Sequence, residues 1–211
     1  AEIVEKVAEE KTRSGEFTAD RPPKLMAEQE EAVRRIGASA AAGRFDVFLL
    51  HGVTGSGKTE VYLQCIAALA GNGKGAIVLV PEIALTPQLL GRFRRRFGNR
   101  VAVLHSGLTD RERADEYRRI RGGLVDVAIG ARSAVFAPFP SLGLVVVDEE
   151  HENSYKQDEG LRYHARDVAV MRAKFQDAVC ILGSATPSLE SFYNAKAGKY
   201  RYLPITHRVD H

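Results

Sequence analysis

A phosphate-binding loop gives this sequence its clearest chemistry. Residues 52–59 read GVTGSGKT, a full match to the pattern GxxxxGK followed by Ser or Thr. The glycines allow a tight turn whose backbone N–H groups point at phosphates, while Lys58 reaches the β and γ phosphates and the Thr59 hydroxyl ligates Mg²⁺. We therefore predict a nucleotide site formed by Gly52, Val53, Thr54, Gly55, Ser56, Gly57, Lys58 and Thr59.

A site that cleaves nucleotides also needs an acidic group for the metal, placed at the end of another buried strand. The apolar run 144–147 leads directly into DEEH at 148–151, and no other apolar run of the sequence ends in a carboxylate pair. We expect Asp148 to hold Mg²⁺, directly or through water, and Glu149 to orient and activate the attacking water. The predicted catalytic residues are Lys58, Asp148 and Glu149, and the predicted metal ligands are Thr59 and Asp148.

The elements that must position these groups alternate between strand and helix from Lys24 onward. Short, continuously apolar strands are typical of a parallel sheet that helices cover on both faces. We therefore predict an α/β architecture with a mostly parallel, doubly wound sheet. The predicted strands are 46–50, 76–80, 101–104, 126–129, 144–147 and 179–182, and the predicted helices are 27–42, 59–70, 86–97, 111–121, 166–175 and 188–197.

Composition limits the class of protein. The 211 residues include 45% hydrophobic and 27% charged residues, which excludes a disordered chain or a miniprotein held by disulfides. The longest apolar runs, 76–81 and 142–147, are far shorter than the roughly 20 residues of a membrane span, and no signal segment opens the sequence. Cys65 and Cys180 lie among apolar residues, which favours free thiols in a reducing cytosol. We therefore expect a cytoplasmic protein with no membrane partner.

Longer strings of the sequence resemble one group of motor proteins. The phosphate-binding loop, DEEH at 148–151 and GSATP at 183–187 are together similar to the first motor lobe of superfamily 2 helicases. Other strings resemble the PriA family of bacterial replication-restart helicases, over about residues 25–202: VPEIALTPQ (80–88), HSGL (105–108), IGARS (129–133), SYKQ (154–157) and YHARD (163–167). The resemblance implies a RecA-like lobe.

The function implied by the resemblance is that of an ATP-dependent 3′–5′ DNA helicase. Such a helicase acts in the restart of stalled replication forks and in primosome assembly, in the bacterial cytoplasm and at the nucleoid. The implied ligands are ATP, Mg²⁺ and single-stranded or forked DNA, and the implied partners are other primosome proteins and single-stranded DNA-binding protein. Two alternatives stay open, namely another superfamily 2 DNA translocase and a P-loop nucleotide switch that is not a motor.

The resemblance also implies roles for individual polar residues. Gln29 reads adenine through one donated and one accepted hydrogen bond. Segment 81–88 follows a strand and faces the phosphates of a DNA single strand. Tyr155 and Tyr163 stack on bases in a loop that reports DNA occupancy to the ATP site. The residues implied in DNA binding or coupling are Pro81, Thr86, Gln88, Arg132, Ser133, His151, Tyr155, Lys156, Arg162, Tyr163, His164, Ser184 and Thr186.

Two patterns keep more than one interpretation. The hydroxyls of Ser184 and Thr186 are placed to form hydrogen bonds with the 148–151 turn, where His151 would be their partner. The same residues also fit an ordinary turn followed by a helix N-cap. Five arginines and no acid lie between residues 92 and 100, which fits either a solvated helix face or a DNA contact.

The domain organisation follows from breaks in these patterns. We expect residues 1–23 to be a linker or the tail of a preceding domain, residues 24–206 to be the motor lobe, and residues 207–211 to begin a linker to a second lobe. An arginine finger from that second lobe is typically worth ~10³–10⁵ in rate, so we expect weak activity from this lobe alone. The zinc modules of the family have no counterpart in the sequence, and we expect no zinc.

Overall fold

A computed structural model describes residues 21–209. Most of the predicted 1–23 linker, and residues 210 and 211, lie outside the described residues. The strands are β1 (Asp46–Gly52), β2 (Gly75–Leu79), β3 (Val101–Leu104), β4 (Val127–Gly130), β5 (Leu142–Val147), β6 (Lys156–Gln157), β7 (Tyr163–His164), β8 (Val179–Ser184) and β9 (Arg201–Ile205). The helices are α1 (Ala27–Ala41), α2 (Lys58–Ala70), α3 (Pro87–Phe97), α4 (Asp110–Arg121), α5 (Ala165–Phe175) and α6 (Leu189–Lys196).

One parallel sheet forms the centre of the described part. Its strand order is β3-β4-β2-β5-β8-β1-β9, and each neighbouring pair is parallel. Strands β6 and β7 form a separate antiparallel hairpin. Because the strands of the sheet are parallel, their carboxyl ends meet at one edge, which is where ligands bind in open α/β sheets.

Apolar residues on both faces of each inner strand explain the layers. Along β2, Ala76 and Val78 join one buried cluster, while Ile77 and Leu79 join the other. The first cluster packs against α1, α2 and α3, and the second packs against α4 and α5. This arrangement confirms the predicted fold class, an α/β layer with a parallel sheet covered on both faces.

Every strand and helix listed in the sequence analysis is present, and its observed ends differ from the predicted ends by at most two residues. Strand β9 and the β6–β7 hairpin were not predicted. Burial alternates along β9, which contains Pro204 and lies at the sheet edge, where a proline is tolerated. The two-residue strands of the hairpin are too short to produce a pattern in the sequence.

Both cysteines are free and buried, as predicted. Burial raises the pKa of the Cys65 thiol to about 12. Between residues 21 and 209, no helix is long and apolar enough to cross a membrane.

Candidate functional site

The loop that joins β1 to α2 has the backbone of a phosphate-binding loop. Gly55 and Gly57 have φ angles of +82° and +80°, a conformation that strongly favours glycine. A Cβ atom at Gly57 would lie 2.3 Å from Nε2 of Gln29, and a Cβ atom at Gly52 would lie 2.5 Å from Oγ of Ser56. Conformation therefore favours glycine at position 55, space favours it at position 52, and both favour it at position 57.

Lys58 begins α2 and is buried beneath the loop. Its Nζ donates a hydrogen bond of 2.8 Å to the Gly52 carbonyl and lies 3.8 Å from Oε1 of Glu149. The hydroxyl of Ser56 is buried close by with no hydrogen-bond partner in the described structure. A buried ammonium group and a hydroxyl without a partner suit an anionic ligand, because buried polar groups are normally satisfied.

The two carboxylates predicted to act in catalysis follow β5 directly. Burial, and after it the charge of Glu149, raises the pKa of Asp148 to about 6. Glu149 has a φ angle of +46°, which is rare for a residue with a side chain and is held by the surrounding structure at a cost of about 1–3 kcal/mol. This strained turn directs the Glu149 carboxylate toward Lys58.

Glu150, the third acid of the turn, is fully buried and joins three elements. Its carboxylate accepts hydrogen bonds from the Ser188 backbone N–H at 2.7 Å, from the Ser191 hydroxyl at 2.8 Å and from Nη1 of Arg166 at 3.2 Å. The sequence analysis gave Glu150 no role of its own. In the structure it ties the end of β5 to α5 and to the beginning of α6.

Replacing Glu150 with Ala should destabilise the fold by about 3 kcal/mol, because it removes the acceptor of the Ser188 N–H and of the buried Ser191 hydroxyl together with a buried ion pair. Arg166, whose side chain is only 9% exposed, keeps its ion pairs with Asp167 and Glu190. The measurement is the free energy of unfolding in urea. Glu31→Ala, which removes the exposed Glu31–Arg34 pair, is the control and should cost less than about 1 kcal/mol. Similar losses in both variants would contradict the structural role of Glu150.

His151 lies beside the Ser184–Thr186 turn that follows β8. Its Nδ1 is 2.8 Å from the Ser184 hydroxyl, and its Nε2 is 3.4 Å from the Thr186 hydroxyl. The Ser184 hydroxyl also accepts a hydrogen bond from the Thr186 backbone N–H, and the N-cap of α6 is Ser188. The structure brings the three predicted residues together, and their role in linking two lobes stays a prediction.

Gln29 lies at the base of the cleft and contacts protein at both ends of its amide. Its Oε1 accepts from the Met26 backbone N–H at 2.9 Å, and its Nε2 donates to the Ser56 carbonyl at 2.8 Å. One amide hydrogen and one lone pair remain for a ligand. Gln29 therefore braces the phosphate-binding loop, and adenine recognition by this residue stays a prediction.

The arginines of α3 occupy a place that neither sequence interpretation anticipated. Arg92, Arg95 and Arg96 line the same cleft of about 650 Å³ as the phosphate-binding loop, Asp148 and Glu149. The Arg96 side chain is 10% exposed, and its Nη2 donates to Glu60 of α2 at 3.1 Å. Arg92 and Arg95 are exposed, as on a solvated helix face, yet they form a basic wall of this cleft, and Arg96 is turned toward α2.

The segment after β2 contains both buried and exposed residues. Pro81 is buried, and the contact of this segment with DNA phosphates stays a prediction. The Thr86 hydroxyl caps α3 by accepting from the Leu89 backbone N–H at 3.3 Å. Gln88 is exposed. Pro81 therefore shapes the turn, while Gln88 remains available to a ligand.

Arg132, in the turn after β4, holds the β6–β7 hairpin in place. Its guanidinium donates to the Lys156 and Ser154 carbonyls, so it contacts the protein where a DNA phosphate was expected. Ser133 beside it is half-buried. On the hairpin itself Lys156 and Arg162 are exposed.

The aromatic and imidazole side chains near the hairpin are less accessible than expected. Tyr163 is half-buried, with its ring edge-on to Phe136 at a centroid distance of 5.2 Å. His164 is also half-buried; burial lowers its pKa, and its Nδ1 is buried with no hydrogen-bond partner in the described structure.

Tyr155 corrects the expectation that it stacks on bases. The residue is 1% exposed, and its hydroxyl donates a hydrogen bond of 2.6 Å to the backbone carbonyl of Asp148. A ring that is covered on all sides cannot stack on a base. Tyr155 instead connects the beginning of the hairpin to the turn that carries Asp148 and Glu149, the predicted catalytic carboxylates.

Comparison with known proteins assigns the chain to a family. The profile of the DEAD/DEAH box helicases matches residues 27–194, which includes the phosphate-binding loop, the carboxylate turn and the Ser184–Thr186 turn. The chain belongs to the DEAD/DEAH box helicase family.

Several curated proteins are similar to this helicase domain. Replication restart protein PriA of Bacillus subtilis is 53% identical over 195 residues, which is 92% of this chain and 24% of that protein. PriA of Chlamydia trachomatis is 52% identical over 189 residues, which is 89% of this chain and 25% of that protein. The predicted resemblance to PriA is confirmed. The chain spans about a quarter of the length of the curated relatives it matches.

Solved helicase structures share the fold. The structure of RecG bound to a three-way DNA junction has a TM-score of 0.66 and 26% sequence identity, and the match covers 98% of this chain and 26% of that one. The Hef helicase domain of Pyrococcus furiosus has a TM-score of 0.59 at 19% identity, covering 82% of this chain and 37% of that one. The RecA-like fold predicted for this helicase domain is therefore confirmed.

The sequence analysis missed residues of this helicase domain whose contacts lie far away in the chain. His51, just before the phosphate-binding loop, has Nδ1 2.8 Å from the Tyr202 hydroxyl and Nε2 3.2 Å from the Ala185 carbonyl. Tyr62 of α2 donates a hydrogen bond to the Asp148 carboxylate. Neither residue belongs to a motif with a known spacing, so no local signal was available to identify them.

Proposed function

We propose that this domain binds ATP with Mg²⁺ and is the ATP-hydrolysing lobe of a DNA helicase that acts in replication restart. The observation that carries the proposal is the convergence of Lys58 and Glu149 in one cleft, with 3.8 Å between Nζ and Oε1. The names of the curated relatives support the restart role. The 3′–5′ direction and the contacts with other primosome proteins and single-stranded DNA-binding protein rest on the resemblance to PriA.

The lining of the cleft fits a nucleoside triphosphate. The turn at Gly55 and Gly57 leaves backbone N–H groups for phosphates, and the Lys58 ammonium group supplies positive charge. The Thr59 hydroxyl and the Asp148 carboxylate are the residues that would hold Mg²⁺. The ion would supply positive charge to offset the negative charge that develops on the phosphates during hydrolysis.

Glu149 is the proposed base and orienter of the attacking water. Its carboxylate lines the cleft beside Lys58. Position matters here, because a small displacement of a catalytic group reduces the rate sharply. His151, with Nδ1 3.8 Å from Oε2 of Glu149, is close enough to transmit changes from the Ser184–Thr186 turn.

The DNA-facing side is proposed to include the exposed groups of the β6–β7 hairpin and the turn after β2. Lys156 and Arg162 provide positive charge, which suits the phosphates of single-stranded DNA. Arg132 and Tyr155 connect this hairpin to the rest of the lobe, and Tyr155 reaches the Asp148 carbonyl directly. DNA contact with the hairpin therefore has a short route to the catalytic carboxylates.

The test of the proposed function is the rate of ATP hydrolysis with and without single-stranded DNA, together with binding to forked DNA. Both are measured on the 211-residue chain and on a longer protein, called the full-length protein, that carries this lobe and the predicted second lobe. We expect strong DNA stimulation in the full-length protein and weak hydrolysis by the chain alone. Hydrolysis without DNA stimulation would favour a nucleotide switch. Stimulation without preferential binding to forked DNA would favour another superfamily 2 translocase.

Tyr155→Phe in the full-length protein should lower the maximal DNA-stimulated ATPase rate several-fold, because it removes the hydroxyl that reaches the Asp148 carbonyl. The DNA concentration at half-saturation should stay unchanged, since Tyr155 is buried. The double replacement of Lys156 and Arg162 with Ala should do the reverse and raise the half-saturation point. The measurement is ATPase rate against single-stranded DNA concentration.

The control for this series is Tyr193→Phe, which removes an exposed hydroxyl on α6. A Tyr155→Phe protein with the unaltered maximal rate would contradict the coupling role. A Tyr155→Phe protein that changes only the DNA concentration at half-saturation, and not the maximal rate, would also contradict the coupling role.

A further inference from the structure

Tyr62 places a hydroxyl group in the middle of the apolar core. The residue is 1% exposed and belongs to the buried cluster between the sheet and helices α1 to α3. Its hydroxyl donates a hydrogen bond of 3.0 Å to Oδ1 of Asp148. Tyr62 follows Lys58 by four residues, so one face of α2 presents both the phosphate-binding ammonium group and this hydroxyl.

A phenylalanine would fill the same apolar space without a polar group to satisfy. A buried hydroxyl without a partner is costly, so a tyrosine here makes sense only with an acceptor that is itself held in position. Asp148 is such an acceptor, because its backbone N–H donates to the Leu79 carbonyl at 2.9 Å and its own carbonyl accepts from Tyr155. The Tyr62 hydroxyl, together with the Glu149 backbone N–H, therefore restricts the rotation of the Asp148 carboxylate.

Gly183 of β8 leaves the space that the hydroxyl occupies. A Cβ atom built at this glycine would lie 1.8 Å from the Tyr62 hydroxyl oxygen and 3.3 Å from Oδ1 of Asp148. The backbone of Gly183 does not have a positive φ angle, so conformation does not demand a glycine there. Glycine is required only because of space: the Tyr62 hydroxyl, hydrogen-bonded to Asp148, occupies the place where a Cβ atom would lie.

We infer that Tyr62 is a positioning residue for the Asp148 carboxylate, and that Gly183 is a glycine because a side chain there would expel the Tyr62 hydroxyl. The inference rests on the proposed function, in which Asp148 holds Mg²⁺. Residues that orient a metal ligand typically change metal affinity 10–100-fold when they are replaced. Tyr62 thus sets how strongly Mg²⁺ strengthens nucleotide binding.

The first experiment uses the 211-residue chain, ADP and titrated Mg²⁺. Tyr62→Phe should raise the Mg²⁺ concentration that half-saturates the gain in ADP affinity by ~10-fold. ADP affinity in excess EDTA should stay unchanged, because the loop contacts to phosphate do not involve Tyr62. Tyr193→Phe, at an exposed tyrosine, is the matched control and should leave both quantities unchanged.

Asp148→Asn separates failure of the inference from failure of the proposed function. If Asp148→Asn abolishes the Mg²⁺ effect and Tyr62→Phe leaves it unaltered, the positioning role of Tyr62 is overturned and the proposed function stands. If Asp148→Asn also leaves the Mg²⁺ effect unaltered, Asp148 does not hold the metal and the proposed function fails with it.

A double-mutant cycle on melting temperature tests the role of Gly183 independently of metal. Gly183→Ala should lower the melting temperature in the unaltered chain, because the new methyl group meets the Tyr62 hydroxyl. In the Tyr62→Phe background the same change should cost clearly less, since the nearest ring carbon is 3.0 Å from the Cβ position. An equal loss in both backgrounds would show that Gly183 makes no room for Tyr62 and would overturn this part of the inference.

Discussion

Lys58→Ala is expected to weaken binding of ADP with Mg²⁺ by about 10²–10³-fold, equivalent to roughly 3–4 kcal/mol. The side chain is the buried positive group of the phosphate-binding loop, and charge-assisted hydrogen bonds to phosphate are the strong ones. The fold should persist, because Lys58 lies at the start of α2 and belongs to neither apolar core cluster. Isothermal titration calorimetry on the 211-residue chain measures the affinity.

Lys199→Ala is the control for this experiment. It removes the same charge from an exposed position between α6 and β9, away from the cleft. We expect its ADP affinity to match that of the unaltered chain. Unchanged affinity in Lys58→Ala itself, with circular dichroism showing an intact fold, would refute the assignment of residues 52–59 as a phosphate-binding loop.

Glu149→Gln should reduce ATP hydrolysis by the full-length protein about 10²–10⁴-fold, the usual contribution of a general base. The amide keeps the shape of the carboxylate, but it replaces one acceptor oxygen with an NH2 donor and does not accept a proton. Nucleotide affinity should be nearly unchanged, because Glu149 is one third exposed and its ion pair with Lys58 is long, at 3.8 Å. Steady-state hydrolysis in saturating single-stranded DNA, together with ADP binding, measures both quantities.

Glu152→Gln provides the matched control, since it makes the same change three residues later in the same turn. Glu152 lies 3.9 Å from Nε2 of His151 and does not line the cleft. Its variant should hydrolyse ATP at close to the unaltered rate. A Glu149→Gln protein that remains equally fast would mean that another group activates the water.

The strands and helices could be predicted because their signals are local. Continuous apolar runs such as 144–147 indicate a strand buried on both faces, and all inner strands of this sheet are of that kind. The proximity of Lys58 and Glu149 could also be predicted, because both residues follow parallel strands whose carboxyl ends lie at the same edge of the sheet. Boundaries moved by a residue or two, since helix and strand ends depend on caps and turns.

Contacts between segments that are distant in the chain could not be predicted from the sequence. The resemblance to the PriA family implies that Tyr155 faces DNA, yet its ring is packed against the core. The arginines of α3 were weighed as a surface pattern, although the packing of α3 beside α2 turns Arg96 toward Glu60. Burial of Glu150 with Arg166 required three elements to meet, which no single motif specifies.

The position of β1 between β8 and β9 has a consequence for how the protein folds. Asp46 of β1 pairs in register with Val179, 133 positions later, and Phe48 pairs with Arg201, 153 positions later. During synthesis β1 emerges well before both of its neighbours, so its edges stay unpaired until β8 and β9 follow. Such non-local pairing slows folding and exposes strand edges that favour aggregation. The phosphate-binding loop follows β1 directly, so its support is complete only after β8 and β9 have been synthesised.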